Sequence, residues 1–170
     1  MVLCLDAGNP RSYPGSGTLW KDVSGQGNNT TLDNGITYHS TNLGTLTFDG
    51  VDDYVDFFAP NLGTTTTVEI WSKVGSFNGA MIFGWLYYDV YCAWGLMGYN
   101  TASGDVYGIS AATVTSLGLL NNWKQYVFEM RSDVSYTNNK IYINGLAQSL
   151  SQQLGAESAG NRGFNSGNGR

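Results

Sequence analysis

The chain has 170 residues, of which 12% are charged and 14% aromatic, with 23 glycines and a formal net charge of -5. So few charges beside so many aromatic residues exclude a disordered chain, and the absence of a basic run excludes nucleic acid as a partner. No stretch of the sequence approaches the roughly 20 apolar residues of a membrane span, so no membrane partner is expected.

Short strands separated by turns are predicted throughout the first half of the chain. The predicted elements are, in order, a strand at 2–5, loops at 6–17 and 22–29, and strands at 45–48, 54–57 and 66–74. In the last of these strands Val68, Ile70 and Val74 share one face, which is the period of two expected in a sheet.

The second half of the chain continues the same pattern. Strands are predicted at 80–86, 93–99, 105–109 and 123–131, with a short helix or turn within 111–120 and a hairpin within 140–150. Tyr126, Phe128 and Met130 share one face of their strand. The hairpin turn is placed at Asn144 and Gly145 because both residue types tolerate a positive φ. Many short strands with regular turns predict an all-β sandwich or jelly roll.

The two cysteines, Cys4 and Cys92, lack the spacing of a metal site and are expected to be buried free thiols. The N-terminal residues show no basic region followed by a long apolar region, so no signal peptide is predicted. The protein is therefore expected to mature in a cytoplasm or to be part of a longer chain.

Four aspartates crowd the stretch FDGVDDYVDF at residues 48–57. A retaining glycoside hydrolase needs two carboxyl groups about 5–5.5 Å apart, which on one strand means acids two residues apart or, with a bulge, four residues apart. Asp53 and Asp56 are three residues apart and would face opposite sides. No acid lies two residues from any of the three glutamates, which are Glu69, Glu129 and Glu157. We therefore expect no enzymatic activity.

An aromatic run, FGWLYYDVYCAW, occupies residues 83–94. Flat aromatic rings offer contact area to the apolar faces of ligands such as sugars. The candidate glycan-binding residues, with Asp89 as the acceptor of hydroxyl groups, are Trp85, Tyr87, Tyr88, Asp89, Tyr91 and Trp94. The alternative is that these aromatic residues pack in the core of a sandwich or against another subunit.

Three stretches resemble the concanavalin A-like jelly-roll superfamily, in particular its laminin G-like branch. They are LDAGNPRSYPGSGTLWKDVSGQGNN at 5–29, FDGVDDYVDF at 48–57, and NNWKQYVFEM with NKIYINGLAQSL within 121–150. The resemblance covers nearly the whole chain. It implies a single domain over 1–170, built as an antiparallel two-sheet jelly-roll sandwich of the lectin and glucanase type. Family members continue past residue 170, so we expect the last strand or strands to be missing or contributed by a neighbour.

The same resemblance implies a calcium site, because laminin G-like domains often bind calcium at a loop edge. Calcium favours carboxylate and amide oxygens. The expected ligands are Asp22, Asn28, Asp52 and Asp53, if the loop at 22–29 and the turn at 49–54 approach each other. The alternative is that the aspartates only form a tight turn by accepting backbone N–H groups.

The segments DAGNPRSYPGSGT, DVYGIS and FNSGNGR are similar to structural proteins of tailed bacteriophages. This resemblance implies a noncatalytic module on the virion surface, on a tail, a fibre or the capsid. Such a module would assemble in the host cytoplasm, and bind a cell-surface glycan or cement neighbouring virion subunits in an oligomeric assembly. Two alternatives remain: a lectin-like module of a bacterial surface or secreted protein, and an atypical glycan-active enzyme.

Overall fold

The computed structural model describes residues 1–59, 62–85, 88–101, 104–158 and 167–169. The chain forms two compact units, Met1–Leu62 with 167–169, and the described residues from 63 to 158. The prediction of an all-β protein is confirmed, because strands dominate and the described residues contain one short α-helix. No helix among these residues has the length and apolar character needed to cross a membrane.

The first unit consists of three short antiparallel strand pairs. They are β1 (Leu19–Trp20) with β2 (Thr30–Thr31), β3 (Thr37–His39) with β4 (Thr45–Thr47), and β5 (Phe57–Ala59) with β15 (Gly167–Gly169). The predicted strand at 45–48 is confirmed as β4. The strand predicted at 54–57 begins later, because Tyr54 makes only an isolated bridge with Asp33.

The strand predicted at 2–5 is wrong. Its backbone groups bond to the loop at 22–28 instead of to a neighbouring strand. Cys4 N donates to Asp22 Oδ1 at 2.9 Å, and Asn28 Nδ2 donates to the carbonyl oxygen of Val2 at 2.8 Å. Val23 N also donates to the carbonyl oxygen of Cys4. An apolar run of this length does not determine where its backbone hydrogen bonds go.

The described residues of the second unit form two antiparallel sheets, one α-helix and one 3₁₀ helix at Tyr136–Asn138. Its elements are, in chain order, β6 (Thr65–Lys73), β7 (Ala80–Trp85), β8 (Tyr88–Ala93), β9 (Leu96–Asn100), β10 (Val106–Ile109), α1 (Ala111–Ser116), β11 (Trp123–Arg131), β12 (Lys140–Ile143), β13 (Leu146–Ala147) and β14 (Ser151–Leu154). One sheet has five strands in the order β14-β10-β9-β8-β7, and the other has four in the order β13-β12-β11-β6.

The predicted face of β11 is confirmed, because Tyr126, Phe128 and Met130 are fully buried. Exposure also alternates along the whole length of β6. The turn between β12 and β13 is the predicted one, with φ of 50° at Asn144 and 77° at Gly145.

The strand predicted at 93–99 is confirmed for its greater part as β9 (Leu96–Asn100), but the chain turns at the start of the predicted range. β8 ends at Ala93 and β9 begins at Leu96, so Trp94 and Gly95 form a two-residue hairpin turn. Their φ values are 50° and 77°, the same as those of Asn144 and Gly145. A tryptophan occupies the position where Asn, Asp or Gly is usual.

The core of the second unit lies between its two sheets. Phe83 contacts Phe128 with ring centroids 5.2 Å apart, and Tyr99 contacts the same ring at 6.3 Å. The hydroxyl of Tyr99 donates to the carbonyl oxygen of Lys140 at 2.8 Å and lies 3.3 Å from that of Glu129. These contacts join β7 and β9 of one sheet to β11 and β12 of the other, which makes the second unit a β-sandwich.

Candidate functional site

The aromatic run at 83–94 divides between the two faces of the five-stranded sheet. Tyr88 is fully buried and its hydroxyl contacts Asn139 and the carbonyl oxygen of Arg131 in the facing layer. Trp85 is only 8% exposed. These two rings therefore belong to the core, and the expectation that they form a ligand platform does not fit their burial. Tyr87 lies outside the described residues.

Tyr91 and Trp94 remain as candidates for ligand contact. Their rings are 6.4 Å apart between centroids and inclined at 65°, so together they form a corner. The Trp94 side chain is 58% exposed. Tyr91 lies on the sheet face opposite to Val90 and Cys92, both of which are fully buried between the sheets. The aromatic corner is therefore on the face turned away from the four-stranded sheet.

Asp89 shares this outer face, since it is two residues from Tyr91 and directly opposite Asn100 on β9. Its carboxylate is hydrogen-bonded to the side chain of Asn100. Gly84 is its partner on β7, and a Cβ atom at Gly84 would lie 2.3 Å from the Cβ of Asp89. The glycine at 84 thus provides the room in which the Asp89 side chain lies.

The carboxyl group of Asp89 is poorly solvated. Burial raises its pKa to about 6, although the hydrogen bond from Asn100 lowers it, and the nearby charge of Asp105 raises it further. The Oδ1 atom of Asp89 is buried and has no hydrogen-bond partner. A buried carboxylate oxygen without a donor is energetically costly, and such groups are frequent at binding sites.

Asp105 contributes a second, more fully bonded carboxylate. It is 3% exposed, and its oxygens accept from Thr101 N at 3.0 Å and from Thr101 Oγ1 at 2.6 Å. Ser158 N donates in turn to the same threonine hydroxyl. This network fixes Asp105 at the end of the β9–β10 connection.

A cavity of about 290 Å³ lies on the outer face of the five-stranded sheet, and Asp89 is behind its lining residue Asn100 and does not itself line it. Its lining residues are Tyr91, Trp94, Asn100, Gly104 and Asp105. The volume is just below the range of roughly 300–1,000 Å³ typical of small-molecule sites. Aromatic rings together with a few polar side chains, here Asn100 and Asp105, are the arrangement by which proteins bind polar ligands that also have apolar faces.

A larger cavity, of about 510 Å³, lies beside α1. Phe77, Val114, Leu119 and Leu120 line it, and none of its lining residues carries a charge. It offers few polar groups to orient a ligand, so we regard the cavity at Tyr91 and Trp94 as the better candidate.

Among the predicted calcium ligands, Asp22 and Asn28 lie together in the loop at 22–28. The Asp22 carboxylate accepts from the backbone N–H groups of Cys4, Ser24 and Asn28 and from the Ser24 hydroxyl. Partial burial raises the pKa of Asp22, but the hydrogen bonds from Ser24 and Cys4 outweigh it, so the pKa is lowered. These donors already occupy both oxygens of the carboxylate.

The other two predicted ligands, Asp52 and Asp53, are joined by Asp49 rather than by Asp22. Each of the three offers a carboxylate oxygen within 4.8 Å of the others. Asp49 Oδ1 accepts from Val51 N at 2.8 Å, and Asp53 Oδ2 accepts from Asp49 N at 2.8 Å. The hydrogen bond from Val51 lowers the pKa of Asp49. The tight turn expected here is thus present, and three carboxylates converge on it.

Several residues of the candidate cavity are not apparent from the sequence. Asn100, Gly104 and Asp105 reach the cavity only because β9 and β10 pair next to β8. One local feature of the sequence could have indicated the turn beside the cavity, because a tryptophan precedes a glycine at 94–95 between two apolar runs.

Comparison of the chain with protein-family models, curated proteins and solved structures found no significant match.

Proposed function

We propose that this protein is a noncatalytic module of a bacteriophage particle that binds a cell-surface glycan. The observation that carries the proposal is the corner formed by Tyr91 and Trp94 beside the cavity on the outer face of the five-stranded sheet. Sugars present both C–H faces, which pack on aromatic rings, and hydroxyl groups, which need acceptors. Asn100 lines the cavity and offers a polar side chain to such hydroxyl groups, and the carboxylate of Asp105 lies beside it.

The backbone of Trp94 supports this proposal. Its φ of 50° falls in the left-handed region, which a bulky side chain enters at a cost of about 1–2 kcal/mol. Asn in the equivalent turn at 144 adopts the same angle, and Asn tolerates it. A strained aromatic residue that is 58% exposed adds little to packing, so a ligand is the better reason for its presence.

The hydrogen bonds of Asp105 favour binding without catalysis. A double-displacement glycosidase needs one carboxylate as nucleophile and one as acid. Asp105 is buried and accepts from both donors of Thr101, which makes it a structural carboxylate. Asp89 alone would then remain, and a single carboxylate does not complete the pair.

The placement on a virion rests on the sequence resemblance to tailed-phage structural proteins. In that setting the module is assembled in the host cytoplasm, displayed on the particle and exposed to the cell surface after release. The second location, a lectin-like module of a bacterial surface or secreted protein, uses the same binding site. Immunoelectron microscopy of particles produced by the source phage distinguishes the two, because only the first predicts labelling of virions.

The test of glycan binding uses an array of bacterial surface polysaccharides. Wild-type protein is expected to bind at least one glycan, and Trp94→Ala is expected to lose that binding. The matched control is Trp123→Ala, which removes another exposed tryptophan, one that lies on β11 of the other sheet. Failure of the folded wild-type protein to bind any glycan would contradict the proposal. If the wild-type protein turned over a bound glycan and Asp89→Asn abolished that turnover, the protein would be an enzyme and the proposal of a noncatalytic module would be wrong.

We also propose that calcium stabilises the first unit at Asp49, Asp52 and Asp53. Three converging carboxylates suit a hard cation that takes oxygen ligands. The site differs from the one expected from the sequence, since Asp49 takes the place of Asp22 and Asn28. The ion would have a structural role at the turn.

The second candidate function, cementing of virion subunits, is favoured by the outer face of the four-stranded sheet. Trp71 is 64% exposed and Trp123 43% exposed. They lie on the same face, because Trp123 is opposite Lys73 and Gln125 is opposite Trp71. Exposed aromatic residues on one sheet face are typical of protein contact surfaces. Sedimentation analysis of wild type against Trp71→Ala/Trp123→Ala tests this function, and self-association that is unchanged in the double variant would contradict it.

A further inference from the structure

The outer face of β6 carries opposite charges on the two sides of one exposed tryptophan. Glu69, Trp71 and Lys73 are all exposed and alternate with residues that face the other sheet. The Trp71 side chain is 64% exposed. A negative charge therefore lies two residues before this ring and a positive charge two residues after it, on the same face of the sheet.

Neither of these charges is neutralised within the described part of the chain. Glu69 Oε1 accepts a hydrogen bond from Gln125 Nε2 at 2.7 Å, which holds the carboxylate on the face but leaves its charge in place. Lys73 takes part in no ion pair of the described residues. The ion pairs of those residues are Arg131 with Asp133 and Lys140 with Glu129.

The neighbouring strand β11 repeats the arrangement with apolar groups. Its outward residues Trp123 and Val127 lie two positions before and after Gln125. The cross-strand pairs of this face are Trp123 with Lys73, Gln125 with Trp71, and Val127 with Glu69. The face thus has one row with a charge at each end and a second row with an apolar side chain at each end.

These two rows are complementary to themselves under one rotation. A two-fold axis in the plane of the face, perpendicular to the strands at Trp71, places a second copy face to face with its strands reversed. Lys73 of each copy then faces Glu69 of the other. Trp123 of each copy faces Val127 of the other, and Trp71 faces its own copy at the axis.

We propose that the protein forms a two-fold symmetric dimer through this face, with Trp71 at the axis and two equivalent ion pairs between Glu69 and Lys73. The inference rests on the second candidate function, contact between subunits, and names the partner as a second copy in a defined orientation. Apolar contact supplies the attraction, and the charges select the orientation. An axis parallel to β6 would instead place Glu69 on Glu69 and Lys73 on Lys73.

The experiment first reverses each charge alone. In Glu69→Lys both contacts become pairs of cations, and in Lys73→Glu both become pairs of carboxylates. Sedimentation velocity over a range of concentrations is expected to show that wild type dimerises and that each variant associates at least about tenfold more weakly. The control Lys124→Glu makes the same change of charge one residue from Trp123, on the opposite face of β11, and should dimerise as wild type does.

The decisive measurement mixes Glu69→Lys with Lys73→Glu in equal amounts. One copy then has two cations on the face and the other has two carboxylates, so every contact of the mixed dimer joins opposite charges. Association is expected to return to the level of wild type or above it. A mixture of Glu69→Lys with Lys124→Glu is expected to show no such recovery. Thermal unfolding of each variant confirms that it is folded.

The failures of the dimer and of the contact surface are distinguishable. Single variants that dimerise like wild type, or a mixture of them that stays monomeric, would overturn the proposed orientation. If Trp71→Ala/Trp123→Ala nevertheless loses self-association, the face remains a contact surface. Wild-type protein that is monomeric at every concentration would contradict both the dimer and cementing by self-association through this face. Glycan binding is measured separately on the array and is unaffected by these outcomes.

Discussion

The two acidic regions of this protein satisfy their charges in opposite ways. At the turn formed by Asp49, Asp52 and Asp53, the first two residues are exposed, and Asp49 Oδ1 and Asp53 Oδ2 accept backbone N–H groups of their own loop, while Asp53 Oδ1 is buried without a partner. At the cavity, Asp89 is largely removed from water and keeps one oxygen without a donor. The pKa of Asp49 is lowered and that of Asp89 is raised.

The difference means that the ionised carboxylate of Asp49 stabilises the folded state, whereas the ionised carboxylate of Asp89 destabilises it. Hydrogen bonds to the ionised form make ionisation of Asp49 favourable in the folded state. Desolvation makes ionisation of Asp89 unfavourable there. A group held at a cost to stability is a better candidate for binding than one that the turn itself requires.

The largest effect on stability is expected from Asp89→Asn. The pKa of Asp89 is about 6 in the folded protein against 3.8 for an unperturbed aspartate. The folded state therefore binds more protons between these values, and stability falls as the pH rises through this window. Removing the charge is expected to raise the free energy of unfolding at neutral pH by up to about 3 kcal/mol. Urea denaturation of wild type and Asp89→Asn at pH 4 and pH 8 measures this increase. A variant that is no more stable than wild type at pH 8 would contradict the interpretation of Asp89 as a buried charge.

Calcium is expected to have the next largest effect, at the other acidic region. An ion that binds only the folded state at a hundredfold excess over its Kd adds about 2.7 kcal/mol. Thermal unfolding with calcium and with chelator should therefore differ in wild type. The difference should disappear in Asp52→Asn/Asp53→Asn and persist in the control Asp133→Asn, which alters an exposed ion pair in the second unit. Equal melting temperatures of the wild type in calcium and in chelator would show that the aspartates form the turn without binding calcium.

A smaller effect is expected from Trp94→Asn. Asn relieves the left-handed strain at this position, so the free energy of unfolding should increase by about 1 kcal/mol. The same variant should lose glycan binding. The control Trp123→Asn places Asn within strand β11, where it is unfavourable, so its stability should decrease. A Trp94→Asn variant that is less stable than wild type would show that Trp94 serves packing.

The smallest effect is expected from Asp49→Ala, which removes the acceptor of Val51 N. Because the pKa of Asp49 is lowered in the folded state, its stabilising contribution is present above pH 3.8 and declines as the pH falls below it. With calcium removed by chelator, the variant should melt slightly below wild type at neutral pH and converge with it in acid. This trend is opposite in sign to that of Asp89→Asn, and parallel profiles would remove the distinction between the two regions.

The sequence predicted well the elements whose signal is local. Burial alternates along the whole of β6 and along β11 from Gln125 onward, and both residues of the Asn144-Gly145 turn are types that tolerate a positive φ. The turn at 94–95 escaped prediction because tryptophan replaces the usual turn residue. The run at 2–5 was misassigned because its partners are side chains of a loop about twenty residues away.

The candidate site was only half predictable for a similar reason. Composition indicated that the run at 83–94 is aromatic, but strand alternation alone does not say which alternate residues face the core. The pairing of β8 with β7 and β9 settles that Tyr88 points inward and Tyr91 outward. Asp105 joins the site through strand pairing, which no spacing within the run reveals.

The hydroxyl of Tyr99 has a consequence for how the second unit is made. It bonds to the backbone of Lys140, 41 residues later in the chain, and approaches that of Glu129, 30 residues later. During synthesis, β9 leaves the ribosome long before the strands that receive this hydroxyl exist. Strands β7 to β10 are therefore synthesised before β11 and β12 can cover their inner face, and β14 of the same sheet follows later still. Contacts of such long sequence separation favour slow folding of the sandwich.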